Sequence, residues 1–234
     1  MPHPLVVAIT GASGAIYAVR LLEVLVRAGR ELHLSISPSG AQVLEHELHL
    51  HVDIDHFSLE SLLPHPDGLP PDSPLRLFET GDEAAKRDAI DLCAAKVAYH
   101  HYQDFSAPIA SGSSRTAGMV VCPCSMSTLA GIAGGLSSNL IQRAVDVHLK
   151  ERRRLIVVPR ETPLSVVQLE NLRRAAEAGA VVLPAMPGYY HGPRRLSDLV
   201  DFIVGRVCDQ LDVEHHLFRR WGETDEGSGI GHEG

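Results

Sequence analysis

The chain has 234 residues, 44% of them hydrophobic, and its 21 Lys and Arg against 29 Asp and Glu give a formal net charge of −8. That length and apolar content suffice to bury the core of one domain. The acidic balance argues against nucleic acid as a partner, because no basic surplus offsets phosphate repulsion. No apolar run reaches the ~18 residues of a membrane span and no basic-then-apolar leader opens the chain, so the expectation is a cytoplasmic protein with no membrane partner.

The first predicted strand, Leu5–Thr10, runs into Gly11-Ala-Ser-Gly14 and then into an amphipathic stretch, Tyr17–Ala28, with Ala18, Leu21, Leu22 and Leu25 on one face. A strand, a tight small-residue turn and a helix start together present backbone N–H groups to a phosphate. Gly11 and Gly14 allow close approach and Ser13 adds a hydroxyl; an ordinary strand–helix turn is the alternative reading. The second strand, Glu31–Ser37, ends in Ser37-Pro-Ser-Gly40, where a dinucleotide fold would place Asp or Glu to grip a ribose, which makes NAD a poor fit. Glu47, two turns into the next helix, reads as either a solvated carboxylate or a site group. A proline-rich loop spans 64–74, a third strand is expected at Leu75–Phe78, and the charged segment from Asp82 to about Tyr102 reads as an extra helix.

A polar loop, Ala110-Ser-Gly-Ser-Ser114, precedes the strand Gly118–Cys122. That strand leads into Cys122-Pro-Cys-Ser-Met-Ser-Thr128, whose Ser125, Ser127 and Thr128 offer donors to a polar ligand edge. The predicted helix Asn139–Arg153 carries Arg143, Asp146 and Lys150 on one stripe, a pattern that a solvated charged face also explains. The strand Leu155–Pro159 ends in Arg160-Glu-Thr-Pro163. Arg160 suits a phosphate or a flavin carbonyl, and Glu161 suits proton transfer. Beyond the helix Leu164–Ala178 and the strand Val181–Ala185, Tyr189 and Tyr190 could stack on a ring or hydrogen-bond a phosphate, or simply pack. A helix over Leu196–Leu211 and a Gly-rich acidic tail after Trp221, expected to be disordered, close the chain. Apolar strands separated by helices imply an α/β fold with a mostly parallel sheet covered on both sides.

Four cysteines (Cys93, Cys122, Cys124, Cys208) show neither a disulfide framework nor zinc-ligand spacing, and fourteen histidines are scattered without a metal-ligand pattern. The thiols therefore read as small buried hydrophobes in a reducing compartment, and no metal site is expected.

In this order the motifs Thr10-Gly-Ala-Ser-Gly14, Ala110-Ser-Gly-Ser113, Cys122-Pro-Cys-Ser125, Asn139-Leu-Ile-x-Arg-Ala-x-Asp-Val-x-Leu-Lys-Glu-Arg-Arg153, Pro159-Arg-Glu-Thr-Pro163, Pro184-Ala-Met-Pro-Gly188 and Arg220-Trp-Gly-Glu223 resemble the flavin prenyltransferase (UbiX) family across nearly the whole chain. The resemblance implies a Rossmann-like three-layer αβα flavoprotein domain over residues 1–211, with 212–234 as a C-terminal segment. It also implies a homo-oligomer, commonly a dodecamer, with active sites at subunit contacts. The implied reaction joins a dimethylallyl group from dimethylallyl monophosphate to reduced FMN, at N5 and then C6, without a metal, to supply prenylated FMN to a UbiD-type decarboxylase. By position, Gly11, Ala12, Ser13, Ser37, Ser125, Met126, Ser127, Thr128 and Arg160 would contact FMN. Arg143, Lys150, Glu161, Tyr190 and Arg206 would surround the allylic phosphate, with Ser13, Glu47 and Glu161 in catalytic roles. The segment 82–102 is longer than in compact bacterial members, and Phe105 stands where some members carry Trp.

An FMN-dependent cysteine-peptide decarboxylase of the same superfamily would need a catalytic His and Asn-bearing loops; the corresponding loops here lack the Asn, and His100-His101 has no neighbouring signature. A short-chain NAD(P) oxidoreductase would need Tyr-x-x-x-Lys, and none of the five tyrosines has Lys four residues on. A non-catalytic FMN-binding subunit stays open and is separated from an enzyme by an anaerobic prenyl-transfer assay.

Overall fold

The computed structural model describes residues 3–78 and 95–220. Six parallel strands, β1 (Leu5–Ile9), β2 (Leu32–Ile36), β3 (Val97–Tyr99), β4 (Gly118–Cys124), β5 (Leu155–Pro159) and β6 (Val181–Val182), form one sheet in the order β3-β2-β1-β4-β5-β6. The expected α/β Rossmann-like architecture is therefore present. The order reverses between β1 and β4, where an open parallel sheet leaves a crevice at its carboxyl edge.

Helices α1 (Ala15–Arg27), α2 (Pro38–Leu48), α3 (Leu59–Leu62), α4 (Met126–Ala133), α5 (Leu140–Lys150), α6 (Val166–Glu177) and α7 (Leu196–Gln210) flank the sheet. The period-2 pleat sorts the strand side chains. Leu5, Val7, Ile9, Val120, Cys122, Ile156 and Val158 face a core shared with α1, α2 and α7. Val6, Ala8, Met119, Val121, Cys124, Leu155 and Val157 face a second core under α4, α5 and α6. Three layers result, with β1, β4 and β5 buried on both faces and the edge strands β3 and β6 only partly covered.

Two expected elements differ. Leu75–Phe78 is not a strand: Pro74–Phe78 is a 3-10 turn. Proline fixes φ at its start, and the i, i+3 spacing puts Leu75 and Phe78, both buried, on one side. The third strand is Val97–Tyr99 instead, which pairs with β2 through Leu32↔Val97 and Leu34↔Tyr99. The extra helix expected over 82–102 is thus wrong at its C-terminal end, where Val97 and Tyr99 favour a pleated edge; its remainder up to 94 lies outside the described residues, as do Cys93 and the tail from 221. No helix among the described residues is long and apolar enough to cross a membrane.

Arg20 of α1 is wholly buried and binds Asp201 of α7 through Nε–Oδ1 (2.7 Å) and Nη2–Oδ2 (3.2 Å). Its Nη1 reaches Glu23 at 3.2 Å, and its guanidinium lies 4.7 Å from the Phe78 ring centroid. This ionic clasp ties α1, α7 and the 3-10 turn together.

Candidate functional site

Each strand end at the carboxyl edge delivers one motif. After β1, Gly14 takes φ +110°, a left-handed conformation suited to glycine, and starts α1. The N–H groups of Gly14 and Ala15 do not face an open phosphate slot as the turn suggested. Both donate to the Glu47 carboxylate, at 2.8 and 2.9 Å. Glu47 is therefore not a free surface carboxylate; α2 brings it, half-buried, to the N-terminal turn of α1. A Cβ on Gly11 would lie 2.5 Å from the Ser39 Cβ, so the β1 and β2 loops meet more closely than any side chain allows.

After β2, Ser37 caps α2, its Oγ accepting from Gly40 N at 3.0 Å and lying 3.2 Å from the Ser39 hydroxyl. After β4, Ser125 caps α4: its Oγ accepts from Thr128 N at 3.2 Å, donates to the Thr128 hydroxyl at 3.0 Å and lies 3.1 Å from the Ser127 hydroxyl. The hydroxyl of Thr10 joins this cap to β1, accepting from Ser125 N at 2.9 Å and donating to the Pro123 carbonyl at 2.8 Å. After β5, Arg160 donates from Nε to the Ser13 carbonyl at 3.2 Å, linking the first and fifth strand ends.

Ser13, Ser37, Ser125, Thr128 and Arg160 thus share one rim around the β1/β4 crevice, with Gly11 and Ala12 on its inner turn. Met126, Arg160 and Glu161 also line a cavity of about 310 Å³ whose other walls include Leu164, Leu169 and Met186. Glu161 is exposed at its mouth, its Oε1 accepting from Thr162 N at 3.0 Å. Tyr17, half-buried nearby, has its phenol pushed above the usual range by burial and Cys122, with Arg160 opposing. Burial holds the Cys122 thiol far above its ordinary range and lifts Cys124 to about 12, so both are packing groups and not nucleophiles. Among the described residues no group of three His, Cys, Asp or Glu could hold a metal ion.

The five residues expected around an allylic phosphate fall into separate groups within one chain. Tyr190 packs edge-on against Phe202 of α7 with ring centroids 5.6 Å apart, and Arg206, one turn further along α7, binds Asp209 at 2.9 Å. Arg143 and Lys150 lie across the sheet on α5. Arg143 donates to the Ala110 carbonyl at 3.0 Å and to Asp146 at 2.7 Å; Lys150 pairs with Glu151 at 2.9 Å. The stripe predicted for Arg143 and Asp146 is an ion pair, yet α5 runs from the carboxyl edge towards the start of β5, which carries Lys150 away from Arg160 and Glu161. Thr10, Ser39 and Tyr17 were not assigned roles from sequence. Thr10 stood inside the quoted turn motif and Ser39 two residues past a strand end, so position alone could have flagged them.

The chain matches the Flavoprotein family model over residues 1–208. It is 44% identical over 217 residues to the flavin prenyltransferase UbiX of Halalkalibacterium halodurans, covering 93% of this chain and 92% of that one. It belongs to the flavin prenyltransferase family. Its fold superposes at TM-score 0.75 and 35% identity on a UbiX (PadA1) structure described in complex with FMN and dimethylallyl pyrophosphate, covering 96% of this chain and all of that one. A dodecameric FMN-dependent UbiX-like decarboxylase from Escherichia coli O157:H7 matches at TM-score 0.71 and 37% identity, over 94% and 100% of the two chains. An FMN-dependent cysteine decarboxylase from thioviridamide biosynthesis is 16% identical at TM-score 0.50, over 77% and 88%, and shares the fold alone.

Proposed function

We propose that this protein is a metal-independent flavin prenyltransferase that transfers a dimethylallyl group from dimethylallyl monophosphate to reduced FMN, the flavin being a substrate as well as the bound cofactor. The observation that carries this reading is the ring of hydroxyls, capped helix starts and Arg160 around the β1/β4 crevice, in a chain 44% identical to a flavin prenyltransferase. Those groups suit FMN: Ser37, Ser125, Ser127 and Thr128 offer hydroxyl and backbone donors, and Arg160 a fixed guanidinium. The loops carry no Asp or Glu after β2 to select a dinucleotide ribose. Reduced FMN supplies the nucleophilic ring atoms.

Departure of phosphate from an allylic carbon builds negative charge on the leaving group, which cationic and hydroxyl donors stabilise. In this reading Arg206 and Tyr190 hold that phosphate from one protomer, while Arg143 and Lys150 reach it from another, since one chain keeps the pairs on opposite faces of the sheet. Glu161 moves a proton to the departing phosphate or away from the flavin ring. Ser13 and Glu47 hold the turn at the reacting end. A homo-oligomer follows, in line with the dodecameric relative. An exposed apolar face of α6 and its surroundings (Leu164, Val166, Val167, Leu169, with Val166 81% exposed) is the surface a second copy would cover. The product would serve a UbiD-type decarboxylase, and the enzyme would work in the cytoplasm.

The test is anaerobic incubation of purified protein with reduced FMN and dimethylallyl monophosphate, with mass spectrometry of the released flavin. A mass gain of one dimethylallyl group is expected; an unchanged flavin and no absorbance change would overturn the reading.

A further inference from the structure

The β1/β4 ladder runs regularly from Leu5↔Gly118 to Ala8↔Val121 and then stops. Beyond it, β4 shifts register against β5 between Val121 and Cys124 and passes through Pro123, which has no N–H to offer. The join is completed by one residue. Thr10, 1% exposed, donates both its N–H (3.2 Å) and its hydroxyl (2.8 Å) to the Pro123 carbonyl, and the same hydroxyl accepts from Ser125 N at 2.9 Å. A hydroxyl has one proton and two lone pairs, and here the proton is committed to Pro123, which turns a lone pair towards Ser125. The Thr10 carbonyl meanwhile accepts from Ala12 N at 2.9 Å, which folds the chain around Gly11 at the start of the Gly11–Gly14 turn.

Thr10 therefore stands between two rims of the crevice. On one side it fixes the turn that carries Ser13; on the other it fixes the backbone of Ser125, whose own hydroxyl organises Thr128 and Ser127. We infer that Thr10 is a positioning residue for flavin binding: its hydroxyl sets the spacing between the Gly11–Gly14 turn and the Ser125–Thr128 cap without touching the ligand. The inference rests on the reading that both loops hold FMN.

Thr10→Val keeps the shape but leaves the partly buried Ser125 N–H without its acceptor, whereas Thr10→Ser keeps the hydroxyl. FMN affinity, followed by flavin fluorescence quenching well below each variant's unfolding temperature, is expected to weaken about tenfold in Thr10→Val and to stay within about twofold of the parent in Thr10→Ser. The absorbance band of bound flavin should shift in Thr10→Val alone. A purely structural role would lower the unfolding temperature and leave affinity and spectrum unmoved, and that result overturns the inference. So does equal weakening in both variants, which would place the effect in the methyl group or the backbone. If Thr10→Val does not fold, Thr10→Cys, with a weakly bonding thiol in the same space, replaces it under the same criteria. Failure of the unaltered protein to bind FMN would instead overturn the flavin reading itself, and this inference with it.

Discussion

Glu161 sits at the cavity mouth with one carboxylate oxygen turned back to its own loop, which leaves the other to meet a ligand. If it moves a proton during transfer, Glu161→Gln should slow prenyl transfer by about 10²-fold or more while FMN affinity changes little. Single-turnover product formation, read beside flavin titration, separates the two; full activity in the variant would remove Glu161 from proton transfer. His148 is a residue of a different kind. It is fully buried in α5, with Nδ1 2.7 Å from the Ala144 carbonyl and Nε2 2.8 Å from the Thr116 hydroxyl. Since a carbonyl can only accept, Nδ1 carries the proton and Nε2 accepts from Thr116. Burial first, then Arg153, pull its pKa down to about 4, against the helix carbonyl. The unfolded chain therefore takes up this proton at a higher pH than the folded one. Stability from His148 is complete above about pH 6.5 and is lost as pH falls towards 4, by up to about 3 kcal/mol. Chemical denaturation from pH 7 to 4 should show this acid limb, and His148→Leu should flatten it; an unchanged slope would show that His148 does not set it.

Between elements, the Arg20–Asp201 clasp ties α1 to α7 through two hydrogen bonds. Removing Asp201 takes two charge-assisted hydrogen bonds from a buried guanidinium that keeps Glu23, at a cost of about 2–3 kcal/mol. Asp201→Ala should lower the midpoint of denaturant unfolding accordingly, and a change within about 0.5 kcal/mol would show that water or other groups already screen the pair. The helices and strands were largely legible because their apolar spacing is strong: α1, α5, α6 and α7 lie within a few residues of the segments that periodicity marks, and five of the six strands stand where apolar runs or, for β2, alternating apolar residues mark them. The misread stretch, Leu75–Phe78 against Val97–Tyr99, shows the limit. Two apolar residues three apart fit a 3-10 turn as well as a strand, and a three-residue edge strand gains its identity from pairing with β2, which no local pattern encodes. The placing of Ser37, Ser125 and Arg160 at strand ends around the crevice was legible in the sequence. The bond from Glu47 to the start of α1 spans 33 residues and depends on how α2 packs, so spacing alone could not place it.

For the whole molecule, the exposed apolar face of Leu164, Val166, Val167 and Leu169 is what one protomer leaves uncovered. Val167→Glu should buries a charge in any contact made there, and the expected result is a smaller particle by light scattering together with loss of prenyl transfer. An unchanged mass would move the subunit contact elsewhere. The sheet also keeps Arg143 and Lys150 on one side and Tyr190 and Arg206 on the other. Two crippled versions of the chain, one lacking the Arg143 guanidinium and one lacking that of Arg206, should then rescue each other when co-assembled. Random mixing leaves about one pocket in four with both cations intact, and the blend should regain close to that share of the parental rate.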